Sequence, residues 1–253
     1  MYAPERYRSI VDRVMGKGRA SVNDLAEDLN VTPETIRRDL SELERQGLVR
    51  RVHGGAVPTG SVGFEPNVDT RDQVLVDEKN RIARAALAEV PEAGAIIVDA
   101  GTTTARLLSL IPEERVLTVV TNSVAHALAL SNRDNITTML LGGRVRGRTL
   151  ASVDQWAIGA LETVYADVAM IGTNGISVER GLTTPDSPEA AVKQAMMRSA
   201  RRKIILADHS KFGEDHFVQF GTLSEIDVLI TDKGADQNIV SDIKSLGVSV
   251  VQA

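Results

Sequence analysis

The chain has 253 residues, 43% of them hydrophobic and 25% charged, with a formal net charge of −5. That length accommodates one large domain or two unequal ones, and the composition is that of a globular protein. The absence of cysteine excludes disulfides, thiolate zinc sites, iron–sulfur clusters and cysteine nucleophiles, while the acidic balance argues against coating nucleic acid by bulk charge.

Apolar runs such as Ala95 to Val98 and Met139 to Leu141 are far shorter than the ~20 residues of a membrane helix. The charges mixed through Met1 to Met15 do not suit a signal peptide, so a soluble, cytoplasmic protein with no membrane partner is expected.

The first 57 residues read as helix. Ile10, Val11 and Val14 repeat at helical spacing before a Gly16-Lys17-Gly18 break. Ser21 opens a second helix, with Asp24 completing a variant capping box and Val22, Leu25, Ala26 and Leu29 as the apolar stripe. Thr32-Pro33-Glu34 supplies a capping hydroxyl, a proline at the first helical position and an acid in the first turn. A third helix follows to about Gln46 and stops at Gly47. Leu48, Val49 and Val52, then the turn His53-Gly54-Gly55, predict a small β-wing.

On a helical wheel Ile36, Leu40 and Leu43 share one quadrant, Arg38 and Arg45 point nearly opposite, and Thr35 and Arg37 flank them. An arginine fork binds guanine edges or phosphate, and a helix-turn-helix places such a helix in the major groove. The predicted contacts are Ser21, Thr32, Thr35, Arg37, Arg38, Arg45, Arg50, Arg51 and His53. The plainer reading of such a helix is a solvated face. Residues 1–57 hold ten Lys/Arg against nine Asp/Glu, about +1, leaving about −6 for the rest.

The stretch SVNDLAEDLNVTPETIRRDLSELERQGLVRRVHGGA, with Thr35 to Leu40 and His53 to Ala56 at its heart, closely resembles the winged helix-turn-helix of DeoR-type bacterial transcriptional regulators. The resemblance implies operator DNA as a partner.

Pro58 to Asn67, with Gly60, Gly63 and Pro66, reads as a linker with a boundary near residue 60; the expected division is 1–57, a linker over 58–76, and 77–253. Beyond it, helix and strand alternate. Helices are expected at 82–90, 107–111, 124–130, 188–201 and 236–246. Strands are expected at 95–98, 116–120, 136–141, 168–171, 203–207, 228–231 and 248–251. The fold class is therefore α/β: an N-terminal winged helix-turn-helix, then a mostly parallel sheet with helices on both faces.

In an open parallel sheet, ligands bind beyond the carboxyl ends of the strands. There stand Asp99 with Gly101, Thr102, Thr103 and Thr104; Thr121 and Asn122; Gly142, Gly143 and Arg144; Gly172 to Gly175 with Asn174; and Asp208 with Lys211. The Gly-Thr-Thr-Thr turn suits an anion, its backbone N–H groups and helix dipole favouring phosphate. Simple helix capping by Thr102 or Thr103 is the alternative.

DAGTTT, TNS, LGG, GLTTP with Glu189 and Lys193, and ADHSKFG resemble the effector domain of the same family. That resemblance implies a fold like ribose-5-phosphate isomerase and a phosphorylated sugar as effector. It also sets Asn174 where the isomerases place a catalytic acid, and an amide cannot take up a proton as a carboxylate would.

His53, His126, His209 and His216 show no zinc spacing. No P-loop or dinucleotide fingerprint is present, so no metal or cofactor is expected. The reading is a sugar-responsive repressor acting as a homo-oligomer, a dimer or tetramer. Its alternatives are a sugar-phosphate isomerase fused to a DNA-binding module, using Asp99, Glu189 and Asp208, and an architectural DNA-binding protein.

Overall fold

The computed structural model describes residues 2–58 and 65–253, which divide into one compact unit ending at Leu75 and another from Val76 to Ala253. In the first unit, α1 (Ala3–Lys17) ends on Gly18 at φ +70°, a left-handed stop that glycine adopts without strain. β1 (Ala20–Ser21) leads into α2 (Val22–Asp28), whose first turn is capped by Ser21 accepting the Asp24 N–H at 3.1 Å. α3 (Pro33–Arg45) is capped by Thr32, and β2 (Arg50–Val52) and β3 (Gly55–Val57) follow. β1 also pairs with β3, so the wing is a three-stranded sheet of order β1-β3-β2.

Ile10, Val14, Leu25, Ile36, Leu40 and Leu43 close over Val49 and Ala56 in one core. The expected inward stripe of α3 is thus seen. The expected linker is not featureless. Gly60 and Gly63 lie outside the described residues, but Asn67 caps a short helix, α4 (Val68–Asp72), and the buried Glu65 pairs with Arg71 at 3.1 Å. Five residues of helix are too few to show a period in sequence.

The second unit runs α5 (Val76–Ala86), β4 (Ala93–Val98), α6 (Thr102–Leu110), β5 (Val116–Thr121), α7 (Val124–Leu130) and β6 (Ile136–Leu140). β7 (Arg144–Arg146), β8 (Ala151–Val153), α8 (Gln155–Leu161), β9 (Ala166–Gly172), β10 (Gly175–Ser177) and β11 (Gly181–Thr184) come next. α9 (Ser187–Arg198), β12 (Ala200–Leu206), β13 (Val218–Gly221), β14 (Val228–Thr231), α10 (Gln237–Ser245) and β15 (Ser249–Gln252) complete it.

Seven strands form one sheet of order β15-β14-β12-β9-β4-β5-β6, parallel throughout. Alternate side chains supply two cores. Ile96, Val98, Val119, Met170 and Ile204 meet α5, α6 and α7, while Ile97, Ile171, Ile205 and Leu229 meet α8, α9 and α10. Strands buried on both faces read as continuous β-branched runs, which is why they were legible.

Several boundaries differ: α6 runs Thr102–Leu110 where a helix over 107–111 is expected, and β12 begins at Ala200 where a strand over 203–207 is expected. α5 begins at Val76, and residues 87–89 tighten into a 3-10 turn where a helix over 82–90 is expected. α9 stops at Arg198 because Ala200 is already paired with Ala166 of β9, where a helix to Arg201 is expected. The hairpin β7–β8, the antiparallel sheet β10-β11-β13 and α8 had no counterpart in the sequence reading.

β4 continues through α6 to β5 on one side, and β9 through α9 to β12 on the other. The adjacent strands β4 and β9 therefore part company at their carboxyl ends, the topological switch point at which open parallel sheets bind ligands.

Candidate DNA interface and ligand site

In the first unit α3 shows its polar face to solvent. Thr32 Oγ1 accepts the Thr35 N–H at 3.2 Å and lies 2.9 Å from the Thr35 hydroxyl, fixing the first turn. Arg37 leans on Glu34 at 3.2 Å, Arg45 is gripped by Glu42 at 2.9 and 2.5 Å, and Arg51 donates to Ser41 Oγ at 2.8 Å. Arg38 and Arg50 are exposed and make no side-chain hydrogen bond or ion pair among the described residues; His53 is exposed at the wing turn.

The predicted cluster is therefore graded: Arg38 and Arg50 are available outright, and Arg37 is held only by an exposed pair. Sequence reasoning passed over Asp39, which is buried on α3 and takes Arg6 of α1 as a bidentate partner. That pairing anchors α3 against α1, and the Asp39 bond raises the Arg6 pKa.

In the second unit the carboxyl ends of β4 and β9 are surrounded by buried charge. The Lys193 ammonium, on α9, contacts Asp99 at the end of β4 and donates to the Gly172 carbonyl at the end of β9 at 2.9 Å. The Gly172 N–H returns to Asp99 at 3.1 Å. Burial pushes the Asp99 carboxyl above the ordinary carboxylate range, against the opposing pull of Lys193.

One turn earlier on α9, Glu189 accepts Arg146 at 2.7 Å and the Thr149 hydroxyl at 2.5 Å. Burial would raise its pKa, yet Lys193, Thr149 and Arg146 outweigh that and hold it low. Arg146 also reaches Asp186 at 3.2 Å.

Beside this charge the first turn of α6 is open. Its N-cap, Gly101, contributes no side-chain cap, and neither Thr102 nor Thr103 caps the helix as the alternative reading had it. Thr102 and Thr103 are buried residues whose hydroxyl oxygens nevertheless keep some access to solvent and have no hydrogen-bond partner among the described residues. Thr104 is different: its hydroxyl donates to the Asp99 and Gly101 carbonyls at 2.8 and 2.9 Å, closing the loop on itself.

Thr121 and Asn122, expected to meet the ligand, are instead fully buried supports. Asn122 accepts the Ala100 N–H at 2.9 Å, and Thr121 accepts the Ser123 N–H at 3.1 Å. His126, weighed in sequence only for a zinc spacing, donates from Nε2 to the Gly101 carbonyl at 3.2 Å, and burial lowers its pKa to about 4, so it stays neutral.

Arg144 does not join the cluster. It faces solvent and pairs with Asp154 at 2.8 Å, and Arg146, two residues on, takes the inward role. Nothing in the run Arg144, Arg146, Arg148 distinguishes the three without the hairpin. Gly142 and Gly143 are exposed; Gly143 sits at φ +135° with a Cβ position only 2.4 Å from the Val153 carbonyl oxygen, which requires glycine. Asn174 accepts the Thr184 hydroxyl at 2.9 Å.

At the ends of β12 and β14 a second polar group gathers. Asp208 is buried; although burial opposes it, Lys211, Lys79, Ser210 and His209 hold its carboxyl low. His209 pairs with Asp232 at 2.8 Å, and that bond raises its pKa. Among the described residues no three His, Asp or Glu side chains converge as a metal site, and no helix is long and apolar enough to cross a membrane.

A winged helix-turn-helix joined to a parallel α/β unit with polar groups gathered at its strand ends defines a ligand-sensing transcriptional regulator. The chain matches the DeoR-like helix-turn-helix domain over residues 6–61 and the DeoR C terminal sensor domain over residues 75–233. It is 41% identical over 251 residues to the HTH-type transcriptional regulator GlpR of Haloferax volcanii, spanning 99% of this chain and 98% of that one. It is 34% identical over 255 residues to the HTH-type transcriptional repressor GlcR of Bacillus subtilis (99% and 96% covered). Over 233 residues it is 32% identical to the glycerol-3-phosphate regulon repressor of Escherichia coli (92% of each). The chain belongs to the DeoR family of transcriptional regulators. Among solved structures, ribose 5-phosphate isomerase A of Methanocaldococcus jannaschii aligns with a TM-score of 0.41 at 16% identity over 55% of each chain.

Proposed function

We propose that this regulator represses genes of sugar or polyol-phosphate metabolism and that a phosphorylated sugar, bound at the strand ends, changes its affinity for operator DNA. The observation that carries this reading is the open first turn of α6, with two unengaged, accessible hydroxyls on otherwise buried threonines, beside the charged group of Asp99, Lys193 and Glu189. Backbone N–H groups and a helix dipole suit a phosphate, and buried carboxylates suit sugar hydroxyls. Relatives named as a glycerol-3-phosphate regulon repressor and as the repressor GlcR agree with it.

The ligand acts by binding one arrangement of the protein better than another. Binding without turnover is expected, since Asn174 carries an amide where an isomerase needs a proton acceptor. A module of about +1 has slight non-specific affinity, so operator binding is expected from paired copies on two half-sites. Thermal-shift measurement with phosphopentoses, phosphohexoses and glycerol 3-phosphate tests the ligand class. A stabilising compound that is not converted supports the proposal; turnover above background overturns it in favour of an enzyme.

A further inference from the structure

The wing of the DNA-binding unit is tied to α3 by two bonds from one residue. The Arg51 backbone N–H donates to Glu44 Oε1 at 2.8 Å, and the Arg51 guanidinium donates to Ser41 Oγ at 2.8 Å. The Ser41 hydroxyl donates its own hydrogen bond to the Arg37 carbonyl at 2.8 Å, so it accepts from the wing while it donates to the helix. Arg51 thus lies along the second half of α3 instead of projecting from the wing. Strand alternation turns its neighbour Arg50 to the other face, where it is exposed and makes no side-chain hydrogen bond or ion pair among the described residues.

We infer that Glu44 and Ser41 are positioning residues for DNA recognition: they fix the wing against the recognition helix, so that Arg50 meets a phosphate while Arg51 is committed to the clamp. The inference rests on DNA binding by this unit. Glu44 makes the case separable, because a carboxylate near DNA is unfavourable on charge alone. Any loss of specificity on removing it must come from geometry.

The test uses the full chain, a duplex that the parent protein selects from a random-sequence pool, and a scrambled duplex of the same composition. Glu44→Ala and Glu44→Gln remove the same charge, but only Gln keeps an acceptor for the Arg51 N–H. Glu44→Ala should lower the ratio of specific to scrambled affinity about tenfold, as loss of a buttressing hydrogen bond allows, and Glu44→Gln should restore most of it. Arg50→Ala should reduce the slope of log affinity against log salt by about 1, the mark of one lost phosphate contact, while Arg51→Ala leaves the slope unchanged. Equal ratios for the two Glu44 variants, or a slope that falls with Arg51→Ala and not with Arg50→Ala, overturn the inference. Failure of the parent to select any sequence refutes the DNA-binding premise instead.

Discussion

His126 ties the pH dependence of stability to the ligand loop. It is buried, its Nε2–H holds the Gly101 carbonyl at 3.2 Å, and Nδ1 lies 3.5 Å from the Thr121 hydroxyl. Burial lowers its pKa from 6.5 to about 4. In the unfolded chain the ring titrates near 6.5, so between these values the unfolded state takes a proton that the folded state refuses. Stability is therefore complete above about pH 6.5, declines as pH falls, and levels off below about 4. At ~1.36 kcal/mol per pH unit the whole span is worth about 3 kcal/mol, and the part between pH 7.5 and pH 5 about 2 kcal/mol. The perturbation is His126→Gln, whose amide retains a donor for Gly101 but cannot titrate. Urea unfolding followed by circular dichroism at pH 7.5 and pH 5 should show the parent losing about 2 kcal/mol more than the variant over that interval. Equal losses in both proteins would show that His126 does not titrate between the folded and unfolded states, whatever the variant costs at neutral pH.

Three further outcomes follow from the same geometry. Lys193→Ala leaves Asp99 and Glu189 buried without their shared cation and should cost about 3–5 kcal/mol in urea unfolding; a loss below about 1 kcal/mol would contradict a buried pair. Gly143→Ala forces a side chain into a left-handed backbone against the Val153 carbonyl and should cost about 1–3 kcal/mol, whereas Gly147→Ala, with open space around its Cβ position, should not. The pair of His209 and Asp232 acts in the opposite pH direction to His126. Because the His209 pKa is raised, its stabilisation is present below about pH 6.5 and fades as pH rises through the raised value. Melting temperatures of the parent and Asp232→Asn should therefore converge as pH increases, and a constant gap would contradict it.

The sheet and the recognition helix were legible for physical reasons. β4, β5, β9, β12 and β14 are buried on both faces, so Ala95 to Val98 or Val228 to Ile230 show as unbroken apolar runs whatever lies around them. The caps of α2 and α3 are local bonds between Ser21 and Asp24 and between Thr32 and Thr35, written within four residues of sequence. What stayed hidden is non-local. β7–β8 and β10-β11-β13 are strands of three or four residues, defined by partners rather than by period. Arg146, not Arg144, reaches Glu189 because the hairpin folds it inward. Thr121 and Asn122 have the chemistry of ligand contacts, but their hydrogen bonds run to the neighbouring loops. The type of side chain at a strand end was readable; its direction depended on the tertiary fold.

A phosphorylated sugar at the strand ends is expected to alter DNA affinity. The most direct measurement is fluorescence anisotropy with the selected operator duplex, titrated with each compound that stabilises the protein, for the parent and for Thr103→Val. Operator affinity should change by at least ~5-fold with one such compound, the lower range of allosteric coupling. Thr103→Val, which removes one unengaged hydroxyl from the first turn of α6, should bind the duplex as the parent does and lose most of that response. An operator affinity indifferent to every stabilising compound would rule out a sugar-phosphate effector, and a response undiminished in Thr103→Val would rule out the first turn of α6 as its site.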